Sequence, residues 1–357
     1  LSCALVLILV ACGNSEAGTP NNDGAATTVY TIQYGHNQRE DSPQGVGVQA
    51  FKDKVEELSG GQIKVDIYPN GQLGALREMI ENCQSGVIQM TQQPTSMIAN
   101  FLPEICITDL PYLFDSEEHM WKAMQGDAGQ LINDRLETAN LVNLGFMHGG
   151  AKVFTSNKPL TCLADFKGQR LRAMETPIVI DTFTALGASA IPMNFSELYN
   201  ALQQGIVDGQ ENPNQTAYMN AYYEVQDYCI ETNHAWMIYG NVINKDFWDS
   251  LTPELQQNMR DAMAYAVEVE RETMNSEDAM YKEVCMENGM QFADLTDAQL
   301  QEIKDATKSV WEKEKSTIGE EFYTEFLENT PKEEAIPQLG MASSFPGSER
   351  RTICKKM

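Results

Sequence analysis

Apolar and polar positions alternate over residues 29–35 and again over 63–68, the two-residue period of half-buried strands. Between them Val48, Phe51, Val55 and Leu58 recur at helical spacing over 46–59, and the pair Gly60–Gly61 stops the helix. A second helical pattern at 76–84 leads into a short strand expected at 87–91. The order β-α-β-α-β predicts a parallel sheet covered by helices on both faces, with ligands at the carboxyl ends of its strands. The loop Gly35-His36-Asn37-Gln38 is one such end. Residues 107–114 are apolar around Pro111, 117–136 reads as helix, and 141–148 reads as a strand leaving the first domain.

A second domain begins near Gly149, and the chain returns to the first with 236–244. The longest helical signal follows. Pro253 suits a first turn, and no further Gly or Pro occurs until Gly289, so one helix over 253–288 is expected, roughly 54 Å long at 1.5 Å per residue. Helices over 296–315 and 320–327 are expected to complete the second domain.

The chain has 357 residues, more than one hydrophobic core comfortably serves, and 42% of them are apolar, as in ordinary globular proteins. Its 51 acidic and 25 basic residues give a net charge of −26, which argues against nucleic acid as a partner. That charge does not prevent anion binding: exposed charges are screened beyond about 8 Å at physiological salt, whereas a carboxylate meets its arginine at contact distance. The eight cysteines form no CxxC pair and the four histidines are scattered, so neither a metal site nor a disulfide-dense scaffold is expected.

At the amino end, 1–11 is apolar and too short to span a bilayer. Leu9-Val10-Ala11-Cys12 reads as a bacterial lipoprotein signal, with lipidation at Cys12, followed by a small, polar tether at 13–28 with a reach of roughly 20 Å.

The stretch from Gly187 to Pro213 reads as a pocket lining. Ser196 is expected to cap a short helix that Gly205 ends, and Ile206-Val207-Asp208 to form a buried strand emptying into the turn Gly209-Gln210-Glu211-Asn212-Pro213. Upstream, alternation over 170–173 places Arg170 and Arg172 on one face of a strand. A part-buried arginine needs an anionic partner, and an internal salt bridge and a ligand are both open at this point.

The segments FKGQRLRAM, LGAS, PMNFSELYNALQQGIVDGQENP, YYEVQDY and TNH, with YPNGQLGALREMIENCQSG, LPYLF and TSNKPL, stand in an order and spacing that resembles the solute-binding subunit of TRAP-type (tripartite ATP-independent periplasmic) transporters, the DctP-type family. The resemblance runs from about Tyr30 to about Leu327. It implies an α/β, two-lobed, periplasmic-binding-protein-like fold with a hinge and a long helix crossing both domains. Domain I is then 29–148 plus 236–275, domain II 149–235 plus 276–335, and 336–357 a tail. It implies an extracytoplasmic monomer, lipid-anchored at Cys12, that captures a small organic acid in the interdomain cleft and delivers it to membrane permease subunits.

By the same resemblance Arg172 holds the ligand carboxylate bidentately, Asn212 donates an amide hydrogen to it, and Phe195 sets a ring against the ligand. Asn37 contributes from the first domain. Where the family often has a second arginine this chain has Lys152, expected to make a looser or water-mediated contact. Gln92, Gln93 and Thr95 fall where the first domain meets the rest of the ligand; as neutral groups they favour a sugar acid or hydroxy acid over a dicarboxylate. Glu211 belongs to the same turn and is expected to orient it, and His234 reads as a hinge-region histidine. No GxSxG, HExxH, P-loop or dinucleotide fingerprint is present, so no catalytic residue, metal or cofactor is expected. The competing readings are a sensor that presents ligand to a membrane receptor and, less well supported, an enzyme acting on carboxylates.

Overall fold

The structure, a computed structural model, describes residues 28–331. Cys12, the tail at 336–357 and all of the tether but Thr28 lie outside the described residues. Eleven strands form two sheets. They are β1 (Tyr30–Gly35), β2 (Ile63–Tyr68), β3 (Met90–Pro94), β4 (Leu141–Ala151), β5 (Val153–Ser156), β6 (Arg170–Ala173), β7 (Ser189–Pro192), β8 (Gly209–Asn212), β9 (Tyr228–Ile230), β10 (Trp236–Asn244) and β11 (Gln291–Ala293).

The first sheet runs β2-β1-β3-β10-β4. Strands β1, β2 and β3 are parallel, as their helical connections require, and β10 is antiparallel to both β3 and β4. The alternation read in β1 and β2 buries Ile32, Tyr34, Ile63 and Val65 against Val48, Phe51 and Val55 of the helix Pro43–Leu58. The second sheet runs β11-β9-β5-β8-β6-β7, and Phe154 on β5 packs edge-on or tilted against Phe166 and Phe183 beneath it. The chain passes between the sheets from Ala151 to Val153 and from Ile230 to Trp236.

A single helix, Pro253–Glu287, joins the two lobes. Thr252 caps it by accepting from the Leu255 N–H, and its 35 residues give it roughly 53 Å. It packs on the helix Pro43–Leu58 and β4 of the first lobe, and on the helix Asn214–Met219 of the second.

Three expectations of position are corrected. The strand expected at 87–91 begins at Met90, because Val87 is 64% exposed and Ile88 alone is drawn inside. Residues 206–208 are not a strand: Ile206 is 49% exposed, and pairing starts at Gly209, where a Cβ would lie 2.3 Å from the Thr155 carbonyl oxygen, so only glycine lets β8 close on β5. The short helix is Leu198–Gln203, and it has no side-chain cap; the 3-10 turn Phe195–Glu197 that leads into it is capped by Asn194, whose side chain accepts from the Ser196 N–H, rather than by Ser196. The carboxyl-terminal helices are also not confined to the second lobe. Asp297–Ile318 packs on Pro177–Ala185 and on the turn Pro103–Asp109, and Glu320–Asn329 packs on Asp127–Thr138.

Candidate ligand-binding site

The carboxyl ends of β6 and β8, the turn after β7, and the loop after β1 meet between the lobes. Arg172 sits on β6, paired in register with Ile191 of β7 and Gln210 of β8. Phe195 opens the turn after β7, Asn212 ends β8, and Asn37 follows β1. These four residues line one cavity, together with Gln38, Tyr239 and Thr216. Its volume is about 20 Å³, room for one water-sized body. An acid of several carbons therefore enters only when the lobes part or the lining side chains swing aside.

Arg172 is 2% exposed. Its Nε and Nη2 donate to the Met193 carbonyl oxygen at 3.0 and 2.8 Å, and its guanidinium stands 5.9 Å from the Phe195 ring centroid. Among the described residues no carboxylate forms an ion pair with it, and the fork of Nη1 and Nη2 has no acceptor beyond Met193. Burial lowers its pKa, opposed by Tyr222, Glu211 and Glu175 nearby, but an arginine keeps its proton. The internal salt bridge left open in the sequence falls instead to Arg170. That side chain is half exposed, pairs with Asp208 at 2.6 Å and donates to the Gly205 carbonyl oxygen. One β6 arginine is structurally satisfied and the other holds an unspent fork.

Asn212 is 4% exposed and donates through Nδ2 to Gln210 Oε1 at 2.5 Å, which fixes the amide plane. On the first-lobe wall Gln38 Nε2 donates to the Tyr239 hydroxyl at 2.8 Å. Neither Gln38, Tyr239 nor Thr216 figured among the expected contacts. Gln38 adjoins Asn37, and Tyr239 brings a hydroxyl into the apolar start of β10, which were the signals to be read.

Lys152 and Gln93, expected near the ligand, lie off the cavity, and so does Glu211. Lys152 does not line the cavity; it is 1% exposed, its ammonium 2.7 Å from Asp109 Oδ1 and 3.4 Å from Glu211 Oε1. Glu211 Oε2 in turn meets His234 Nε2 at 2.6 Å, and His234 Nδ1 meets Thr232 Oγ1 at 2.8 Å, with the imidazole stacked on Phe154. Burial works to lower the Lys152 pKa, but the two carboxylates raise it overall. Burial is the main cause that raises Asp109, the second carboxylate on the ammonium adding to it. Burial also pushes Glu211 upward, yet Lys152 and His234 overcome that and bring it down to about 2. Gln93 is fully buried with Nε2 on Thr91 Oγ1, and Gln92 and Thr95 are buried beside it; none lines the cavity. The Lys152 cluster thus braces both lobe crossings directly behind Asn212.

A family model described as "Bacterial extracellular solute-binding protein, family 7", DctP, matches residues 34–317. The chain belongs to this family. It is 31% identical to the C4-dicarboxylate-binding protein DctB of Bacillus subtilis over 88% of this chain and 91% of that one. It is 35% identical to the C4-dicarboxylate-binding periplasmic protein DctP of Rhodobacter capsulatus, over 65% and 70% of the two chains. Among solved structures, the sugar acid binding protein DctPAm from Advenella mimigardefordensis, in complex with galactonate, superposes with a TM-score of 0.81 at 30% identity, covering 84% of this chain and 97% of that one. A TRAP periplasmic solute-binding protein from Shewanella oneidensis, with bound succinate, gives 0.80 at 28% identity over 84% and 99%. The two-lobed architecture and the membership in an extracytoplasmic solute-binding family therefore rest on sequence and fold together.

Proposed function

We propose that this chain captures a small organic acid between its lobes, with the carboxylate on the free fork of Arg172, Asn212 beside it, Phe195 against the carbon skeleton and Asn37 closing from the first lobe. The observation that carries this is a buried guanidinium without a counter-ion on the wall of an interlobe cavity. A guanidinium so placed lacks the charge partner that burial normally demands, and a carboxylate supplies it with two parallel hydrogen bonds. Lys152 and Glu211 act behind the site, holding Asn212 in place, and Gln93 supports β3.

The cavity wall opposite Arg172 offers Asn37, Gln38 and the Tyr239 hydroxyl, all neutral, and Arg172 is its one cationic lining residue among those described. This favours a sugar acid or hydroxy acid over a dicarboxylate, whose second charge would be buried unpaired. A thermal-shift screen decides it. At 100 times its Kd the true ligand adds about 2.7 kcal/mol, and galactonate and glucuronate are expected to shift the melting temperature more than succinate. A larger shift with succinate would overturn the preference for sugar acids. No shift with any carboxylate would overturn the site.

Delivery to TRAP membrane subunits and anchoring through a lipid on Cys12 complete the proposal. Expressed behind a lipoprotein signal in a bacterial host, the protein is expected to partition with membranes, and Cys12→Ser to release it or block its processing. A mature amino terminus elsewhere would remove the anchor. A receptor kinase encoded next to this gene, in place of small and large membrane-spanning proteins, would favour a sensor.

A further inference from the structure

A second cavity lies between the lobes, across β10 from the carboxylate cleft. Successive residues of the chain divide between the two: Asn212, Thr216 and Met237 line the cleft, whereas Pro213, Gln215 and Trp236 line the other. This second cavity is large, about 350 Å³, within the range of small-molecule sites. Its lining includes three carboxylates, Glu117, Glu231 and Asp278, and no lysine or arginine.

The charges there are unevenly satisfied. Glu231 is paired with Lys282 at 2.5 Å and accepts from Asn214. Glu117, at the start of the helix Glu117–Gln125, accepts only from the Trp121 indole N–H at 3.1 Å and stands 3.6 Å from His148 Nε2. Asp278, exposed on the long helix, has no ion pair or hydrogen bond from its side chain among the described residues. His148 supplies an independent sign of a ligand. It lines the cavity, is 2% exposed, and neither ring nitrogen has a hydrogen-bond partner. Burial, and secondarily the Arg271 charge, lower its pKa to about 4, so it is neutral at pH 7 and adds no positive charge.

A metal ion does not fit this arrangement: among the described residues no three carboxylate, imidazole or thiolate groups converge closely enough to hold one. Glu117 and Asp278 stand on different helices, Glu117–Gln125 and Pro253–Glu287, and call for two positive charges rather than one. The Trp236 indole and the His148 ring lie between as an aromatic wall suited to methylenes and to ammonium groups. We propose that this cavity binds an aliphatic polyamine, one ammonium group on Glu117 with a donor toward His148 and another on Asp278.

Calorimetric titration of the full chain with spermidine is the test. Saturable binding at one site is expected, and the double variant Glu117→Gln/Asp278→Asn should weaken it at least tenfold. The double variant Glu283→Gln/Glu287→Gln removes the same charge from exposed positions on the same helix and should change affinity less than twofold. Asn275→Lys, an exposed substitution that introduces a cation at the cavity, should abolish binding while leaving the melting temperature in place. Absence of saturable binding overturns the proposal. So does equal weakening by both double variants, which would mean diffuse attraction to an acidic surface. Full displacement of spermidine by magnesium at matched ionic strength would overturn it too, by assigning the site to a simple cation.

Discussion

Two buried cations stand behind one another at the lobe interface, and their surroundings could hardly differ more. Lys152 has two carboxylates on its ammonium, one of which is held by a histidine as well. Arg172, equally buried, has a backbone carbonyl and an aromatic ring. A cation compensated inside the fold serves the fold, and removing it leaves charges behind. A cation left uncompensated costs the fold stability and is retained for a partner that arrives later.

The largest effect is expected for Lys152→Ala, which strands Asp109 and Glu211 in the interior. Breaking a buried pair from one side costs about 3–5 kcal/mol, so denaturant unfolding of the ligand-free chain should show a large fall in midpoint. An unchanged midpoint would return Lys152 to the list of ligand contacts.

The Glu211 contribution to the pH dependence of stability is expected to be on the order of 3 kcal/mol, opposed in part by Asp109, which folding raises. Folding lowers the Glu211 pKa from its ordinary 4.5 to about 2, so the unfolded chain takes up a proton that the folded chain resists. The stabilisation is complete above pH 4.5 and is lost as pH falls from there towards 2. Unfolding curves for Glu211→Gln should lack this slope and be displaced downward at neutral pH.

For Arg172 the pattern inverts. Arg172→Lys keeps the charge and loses the planar fork, costing about 1.5–3 kcal/mol of affinity, a ten- to hundredfold rise in Kd by titration calorimetry; Arg172→Ala falls at or beyond the upper end. Neither substitution should lower the melting temperature of the ligand-free chain, since each leaves no carboxylate unpaired. A marked loss of stability would show that Arg172 is a structural residue. The smallest effect belongs to Arg170→Ala. Its exposed pair with Asp208 is worth below about 1 kcal/mol, and ligand affinity should be unchanged.

The start of the first lobe was legible because β1 and β2 are half-buried: Ile32 and Tyr34 alternate with Thr31 and Gln33, and Gly60 and Gly86 follow the first two helices. The long helix was legible from what it lacks. What was misread is β8. Gln210, Glu211 and Asn212 are all buried, so no alternation marks them, and their polarity suggested a turn. Their hydrogen bonds to Thr155, Lys152, His234 and one another make a polar strand tolerable, and those partners are distant in sequence. Asp109 was missed for the same reason. An acid inside the apolar run 105–110 is a visible anomaly, but nothing in the chain says that its partner is 43 positions away. Arg172 and Asn212 are singled out by the family motifs alone, since a strand arginine by itself reads equally well as Arg170 does.

The place of β10 in the first sheet has a consequence for how the chain is born. It lies between β3 and β4, yet it is encoded after every strand of the second sheet except β11. Until residue 244 has been made, the first lobe has two strands facing each other across a gap, with no partner for the inner edge of either. A chain emerging from its amino end therefore cannot finish its first lobe first. It stays incomplete until two thirds of it exist, and both inner strand edges are open to pairing for that time.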